Sequence, residues 1–489
     1  MTVSRGRLFA VAALLCYAAI AGSEAKFAAA ATPLVVHEWG TFTVLQDELG
    51  QALPGINIDD EPLPVFCHNL NPWILQAGHA LAQSERSRMM KGAPPRHPYV
   101  TMRLETPVLY IYPPPEEKLP LTVDVDVKFR AGWLTEFYPH ADAEEPGLKD
   151  GYFNFGAITP ATIGQLHWRG VQVGTQEPGP VTAENVWLAP RKVQAANLTV
   201  PPPGKNQKAK SESEKFLFYR GVAHRTAPLR VSYEKPASEI RIYGQAPDEL
   251  KSATLTFPAL WLVHIRPGGG VAFRNVKPFT SVASTSEPLA TVSAQFSDAE
   301  YSAGHLQDLR AEIHRALVAD GLFADEATAL LDTWQRAYFG SPGLRLFYLV
   351  PEAWTNHVLP LSISRPAEVK RVMMGRIELI SPEQRQLLQR LSKIQVSDLK
   401  WLNEVRKSPA AEKFFAGRSN LSDLGVAIPE DYQTYLDLGR FRNALVCAEF
   451  SVRPTPQLDK FISAYELEME AVPDPRRAIQ STTAGRESP

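Results

Sequence analysis

Cysteine is scarce in this chain, which has 3 cysteines among its 489 residues. One of them, Cys16, lies in an apolar N-terminal run, so two remain for the rest of the fold. A framework of disulfides is therefore excluded as the basis of the structure. A single bridge between Cys67 and Cys447 would suit an oxidising compartment, and two buried free thiols fit the sequence equally well.

An excess of one charge sign is also missing. Lysine and arginine number 51 and aspartate and glutamate number 53, which gives a formal net charge of −2. No long-range field therefore draws the protein to a polyanion. We expect neither a nucleic acid nor an anionic lipid surface as its partner.

Long hydrophobic runs are absent apart from residues 8–20. This run has about thirteen residues, whereas a helix needs roughly twenty apolar residues to cross a bilayer. Arg5 and Arg7 precede it and small residues follow it, which is the pattern of a secretory signal peptide. We therefore assign residues 1–31 to a signal peptide. The mature protein is predicted to be secreted or periplasmic, with no integral membrane segment.

Export gives a first testable prediction, because the small residues after the apolar run offer more than one cleavage point. We expect the mature chain to begin between Ser23 and Thr32. N-terminal sequencing of the protein from the cell envelope measures this directly. A chain that still starts at Met1 would contradict the prediction, and so would lipid on Cys16.

Familiar catalytic motifs are missing as well. The chain has no G-x-S-x-G elbow and no H-E-x-x-H helix, so neither a recognisable serine hydrolase nor a helical zinc motif is indicated. Residues 268–270 are three glycines, but they lie in a predicted hairpin turn without the strand and helix of a phosphate cradle. No motif fixes a reaction, and the cofactor is left open.

Alternation of apolar and polar residues predicts a mostly β N-terminal part. From Leu121 to Phe129 every second residue is apolar, which buries one face of a strand and exposes the other. Proline or glycine bounds most of the similar runs, and the chain contains 41 prolines. The similar runs are residues 100–112, 215–219, 239–243, 254–265 and 271–279.

In the C-terminal half the apolar period changes to that of a helix. Ser297 and Glu300 form a capping-box pattern ahead of a helix that Gly321 ends. A second helix is predicted over residues 325–338, and a third begins at Ser381. Short apolar runs between the second and third helices indicate strands, so this half is α+β.

These patterns together predict an α+β fold. The N-terminal domain is expected to be sandwich-like and the C-terminal domain rich in helices. The predicted divisions are a signal peptide at 1–31, a β-rich domain at 32–285, a helix-rich α+β domain at 286–471 and a disordered tail at 472–489.

The first candidate site is the pair His37 and Glu38, which stands beside two aromatic residues. Adjacent residues of a strand point to opposite faces, so both can line one pocket only at a bulge or a strand end. One interpretation makes one of the pair a buried, hydrogen-bonded structural residue. The other makes it a metal ligand or a general acid or base at the end of a sheet.

Two more carboxylates, Glu105 and Glu136, lie near predicted strand ends. Glycosidases use two carboxylates roughly 5–10 Å apart, so this pair is a candidate for such chemistry. Chance is the competing explanation, because the chain has 53 acidic residues. Arg220 follows three aromatics in the motif E-K-F-L-F-Y-R-G, and it is either a binding clamp or a side chain at the margin of a sheet.

Metal binding is indicated where His68 stands next to Cys67, because imidazole and thiolate both bind zinc and copper. No second cysteine or histidine follows at zinc-finger spacing. A site would therefore be assembled from distant parts of the chain, with His37 and His68 as the first predicted ligands. Further histidine donors are His140, His167 and His224.

Several motifs resemble those of a family of exported bacterial proteins, and the resemblance spans nearly the whole mature chain. It implies a bacterial envelope or secreted protein, and it implies no activity, ligand or site residue. The motifs are V-H-E-W-G-T-F-T from Val36, R-L-E-T-P-V from Arg103, W-L-T-E from Trp133, E-K-F-L-F-Y-R-G from Glu214 and R-I-E-L from Arg376.

Two classes of function follow. We favour an extracytoplasmic hydrolase for a small molecule or polysaccharide, with an acidic and histidine site on the β-rich domain. In this hypothesis His37, Glu38 and Arg220 line one pocket, where the carboxylate is a general base or ligand and the guanidinium binds the substrate. The alternative is a non-catalytic ligand-binding or envelope-assembly protein.

Overall fold

The computed structural model describes most of the chain after the predicted signal peptide. The signal peptide and the predicted tail lie outside the described residues. The described ranges are 32–58, 63–69, 96–144, 156–202, 209–234, 238–282, 284–410 and 424–469.

Strands dominate the described residues up to about residue 293. They are β1 (Leu34–Gln46), β2 (His68–Asn69), β3 (Met102–Tyr112), β4 (Leu121–Arg130), β5 (Gly132–Tyr138), β6 (Asp142–Glu144), β7 (Ile163–Val173), β8 (Leu198–Val200), β9 (Glu212–Glu214), β10 (Leu217–Ala223), β11 (Leu229–Glu234), β12 (Glu239–Gly244), β13 (Thr254–Phe257), β14 (Leu260–Ile265), β15 (Val271–Val276), β16 (Phe279–Val282), β17 (Ala290–Ser293), β18 (Gly343–Leu349), β19 (Leu361–Ile363) and β20 (Ala367–Leu379).

Helices follow mainly in the second half of the chain. They are α1 (Asn185–Leu188), α2 (His305–Ala319), α3 (Ala324–Thr333), α4 (Glu352–Val358), α5 (Pro382–Leu391), α6 (Lys400–Lys407), α7 (Glu430–Asp437), α8 (Arg442–Val452) and α9 (Pro456–Ala464). Short 3-10 turns add Pro190–Lys192, Asp248–Leu250 and Asp298–Glu300.

One large sheet joins early and late strands of the chain. Its main path runs β15-β14-β18-β20-β1-β3-β10-β5-β7-β4-β19, and β2, β6, β8 and β9 branch from it. At its centre β1 pairs in parallel with β20, from Leu34 opposite Ala367 to Gln46 opposite Leu379. β1 pairs antiparallel with β3 on its other side. Every residue of β1 except Val35 is buried, as a central strand covered on both faces requires.

Apolar side chains pack on both faces of this sheet. On one side, called face A, Val36 and Leu104 belong to the largest apolar cluster. On the other, called face B, Trp39 belongs to a cluster that includes Ile313 of α2 and Leu330 of α3. A third cluster joins α5, α7, α8 and α9. Each large apolar side chain buried in this way contributes about 1.5–3 kcal/mol.

The predicted α+β class is confirmed, with a mostly β N-terminal part and helices concentrated after it. The boundary predicted near residue 285 does not divide the sheet, because β14 pairs with β18 and β1 pairs with β20 across it. The described residues from Leu34 onward belong to one compact unit. No helix in the described ranges combines the length and the apolar character that crossing a bilayer requires.

Candidate functional site

His37 and Glu38 point to opposite faces of β1, as alternation along a strand requires. His37 Nδ1 lies 2.7 Å from Glu326 Oε2 on face B. Glu38 is fully buried on face A, where Arg371 Nε donates to its Oε2 at 2.6 Å and the Tyr219 hydroxyl donates to its Oε1. Both members of the pair therefore have buried protein partners. This arrangement fits the interpretation of the motif as buried, hydrogen-bonded and structural.

Arg220 lies on face B, away from Glu38. Its neighbour in β10, Tyr219, points to Glu38, so alternation turns Arg220 the other way. Arg220 donates from Nε to Glu136, the residue opposite it in β5. The hypothesis that His37, Glu38 and Arg220 line one pocket is therefore wrong, because the sheet itself separates Glu38 from Arg220.

Glu105 lies in a buried network on face B. Its Oε2 accepts hydrogen bonds from the Thr43 hydroxyl at 2.8 Å and from the Tyr338 hydroxyl. Its Oε1 is contacted by Arg103 at 2.8 Å and by Arg440 at 2.9 Å. The carboxylate thus holds four donors from four separate segments, and it fastens strands β1 and β3 to the chain around Tyr338.

Arg103 connects this network to the pair formed by Arg220 and Glu136. Burial lowers the pKa of Arg103, and the nearby guanidiniums of Arg220 and Arg376 add to that shift despite the carboxylate of Glu105. The structure thus brings Glu105, Glu136 and Arg220 onto one sheet face. Both carboxylates already accept hydrogen bonds from arginines, and their role as a catalytic acid and base stays a prediction.

His68, His140 and Glu212 converge at the edge of the sheet, and we call them the metal group. His68 Nε2 lies 2.8 Å from Glu212 Oε2, and His140 Nε2 lies 3.3 Å from Glu212 Oε1. The two imidazole rings stack with their centroids 4.8 Å apart. One ligand atom from each residue lies within 4.8 Å of those of the other two.

Three short pieces of chain present the metal group. β2 places His68 opposite Phe137 of β5, His140 follows the end of β5, and Glu212 opens β9. The backbone N–H of His140 donates to Glu212 Oε2 at 2.8 Å, and the Lys210 carbonyl lies 3.2 Å from His140 Nε2. Each of the three side chains is 17–20% exposed, so the group is accessible from solvent.

The donor set of the metal group suits zinc. Two imidazoles and one carboxylate recur at catalytic zinc sites, where a fourth position holds water or substrate. Zinc bonds of about 2.0–2.1 Å place tetrahedral ligand atoms roughly 3.4 Å apart, and the three ligand atoms of the metal group lie within 4.8 Å of one another. Burial lowers the pKa of His140, which favours the neutral imidazole that binds metals.

The sequence predicts one member of this group, His68, as a ligand, and it offers His140 as a further donor. His37, the other predicted ligand, lies on β1 and is held by Glu326 of α3, so the predicted pairing of His37 with His68 does not form. Sequence analysis missed Glu212, because the polar, proline-rich stretch around it indicates a loop. Its one signal is its place two residues before the E-K-F-L-F-Y-R-G motif.

The remaining histidine donors are paired elsewhere. His167 Nδ1 lies 2.5 Å from Asp126 Oδ1, which Arg169 also contacts at 2.6 Å. His224 Nδ1 lies 3.0 Å from the Tyr99 carbonyl. These two histidines therefore serve as controls for experiments on the metal group.

Both cysteines among the described residues, Cys67 and Cys447, are free thiols, so the alternative of a bridge between them is wrong. Burial raises the pKa of the Cys67 thiol well above its usual value, and the nearby Glu136 carboxylate adds to the shift. A neutral thiol is a poor ligand. Cys67 precedes β2, and it is not among the described residues whose ligand atoms converge in the metal group.

Comparisons with known proteins give no family for this chain. No family model matches it, and no curated protein matches it. Among solved structures it is similar to the Fcho1 Mu homology domain of Danio rerio with bound Eps15 peptide, at 8% identity and a TM-score of 0.24. That match covers 71% of this chain and 95% of the other, and a likeness of this degree supports no conclusion about fold or function.

Proposed function

We propose that this chain is an exported metal-dependent hydrolase whose zinc ion is held by His68, His140 and Glu212. The observation that carries the proposal is the convergence of two imidazoles and a carboxylate from three distant parts of the chain. Their partial exposure leaves room for water and substrate at the fourth zinc position.

Zinc in such a site supplies a hydroxide at neutral pH, because it lowers the pKa of a bound water to about 7. The residues of the chain hold and orient the ion. The His140 backbone N–H fixes one oxygen of Glu212. A hydrogen bond that orients a ligating carboxylate is a usual feature of metal sites. We expect a small molecule or a polysaccharide as substrate.

Metal exchange tests the activity. The purified mature protein is stripped with a chelator, reloaded with zinc or magnesium, and assayed on chromogenic esters, phosphoesters, glycosides and peptides. We expect zinc to restore hydrolysis of one class and magnesium to restore none, because imidazole suits zinc and magnesium prefers oxygen ligands. The His167→Ala protein, altered at a histidine paired elsewhere, should behave as the wild type does.

A second candidate is a zinc-binding protein without catalysis, which is the ligand-binding or envelope-assembly alternative. One observation favours it: the residues predicted as catalytic are paired with protein partners and do not gather in one cleft. A protein that binds zinc tightly but hydrolyses no substrate class, with or without zinc, would support this candidate over the hydrolase.

A further inference from the structure

Glu214 lies two residues after the metal ligand Glu212, on the same side of strand β9. Its side chain is 1% exposed and holds several donors. Trp187 Nε1 donates to its Oε2 at 2.6 Å. Arg191 donates to the same oxygen from Nη2 at 2.6 Å and from Nε at 3.0 Å. The Lys215 backbone N–H donates to its Oε1 at 3.0 Å.

Tyr138 lies between the donors that hold Glu214 and the metal group. Its ring stacks on the His68 ring with centroids 6.0 Å apart, and it meets the Trp187 ring edge-on at 5.8 Å. The Tyr138 ring thus links the ring of the metal ligand His68 to the Trp187 ring, which donates to Glu214.

β9 is a short strand at the end of a branch of the sheet. Its three residues pair with β8, from Leu198 opposite Glu214 to Val200 opposite Glu212. So short a ladder fixes the direction of a side chain weakly, because three residues supply few hydrogen bonds. The contacts of Glu214 with α1 and the 3-10 turn Pro190–Lys192 add a second attachment on the face that carries Glu212.

We propose that Glu214 is a positioning residue for the metal centre, which holds β9 so that Glu212 meets His68 and His140. This inference rests on the proposed zinc site. It also gives a role to the first residue of the E-K-F-L-F-Y-R-G motif. Glu214 touches neither the ion nor the substrate, and it acts on zinc affinity through Glu212.

Zinc affinity of the Glu214→Gln protein tests the proposal, measured by competition with a chromogenic chelator at a temperature where every variant is folded. The amide keeps the shape of the side chain but loses the charge that holds Arg191. We expect zinc to bind about tenfold more weakly, within the range for residues that support metal ligands. The Trp187→Phe protein, which keeps the ring contacts and loses one donor to Glu214, should show a smaller loss.

Glu378→Gln is the matched control, because Glu378 is also a buried glutamate held by arginines, Arg345 and Arg376. It lies on β20, and the metal ligands lie on or beside β2, β5 and β9. Its zinc affinity should equal that of the wild type. If Glu214→Gln and Trp187→Phe also bind as the wild type does, the positioning role is overturned and the zinc site stands. If the wild type itself binds no zinc, the proposed function fails first.

Discussion

The Glu212→Gln protein should retain about a tenth or less of the zinc that the wild type keeps after dialysis. The amide removes the charged ligand that both His68 and His140 face, and two neutral imidazoles alone make a weak site. The same loss should appear in thermal unfolding. A ligand at roughly a thousand times its Kd stabilises the folded state by about 4 kcal/mol, so zinc should raise the Tm of the wild type and leave that of the variant unchanged.

Elemental analysis and unfolding curves with and without zinc provide the measurement. His224→Ala is the control for a lost histidine outside the metal group, and it should keep full zinc content. A single zinc that survives in both Glu212→Gln and His68→Ala would place the metal elsewhere in the chain. The contacts among the three side chains would then be an ordinary polar network at the edge of the sheet.

Local patterns in the sequence predict individual elements well. The alternation from Leu121 predicts β4, which the structure has at Leu121–Arg130. The capping box at Ser381 and Gln384 starts α5, as predicted. The helix predicted over 325–338 ends at Thr333, where the chain passes into turns. Each of these elements depends on residues that lie within a few positions of it in the chain, so the sequence alone shows what determines it.

Pairing between distant strands is not visible in the same way. Nothing near residue 37 indicates that β1 pairs with β20, more than three hundred residues later. Because that pairing alone places Arg371 beside Glu38, the sequence does not show that a buried cation neutralises Glu38. In the sequence this dense polar motif therefore has the features of a candidate site, although its charge serves to join two central strands.

The metal group shows the same limit, because the sequence does not reveal which distant residues meet. His68 was predicted from the chemistry of its own side chain, whereas Glu212 became a candidate only when β9 was placed beside β2 and β5. Ligands from three short elements share no spacing in the sequence. Recognition of such a site needs the fold, because residues 68, 140 and 212 are brought together by strand order alone.

Replacing Glu38 by Gln should destabilise the protein by about 3–5 kcal/mol, the cost of leaving one partner of a buried ion pair uncompensated. The Arg371 side chain is 2% exposed, so its charge is almost fully removed from water. Its remaining contacts, with Asn356 Oδ1 at 3.0 Å and the Leu359 carbonyl at 2.5 Å, carry no compensating charge. Denaturant unfolding of the purified variant measures the loss.

The folded Glu38→Gln protein should nevertheless bind zinc as the wild type does, because face A of β1 carries none of the metal group. Glu144→Gln is the comparison at the surface: its side chain is 67% exposed and lies 3.8 Å from His167, so its stability should change by no more than about 0.5 kcal/mol. A Glu38→Gln protein of normal stability that had lost zinc or activity would reverse this assignment. Glu38 would then belong to the functional site and Arg371 would be its partner there.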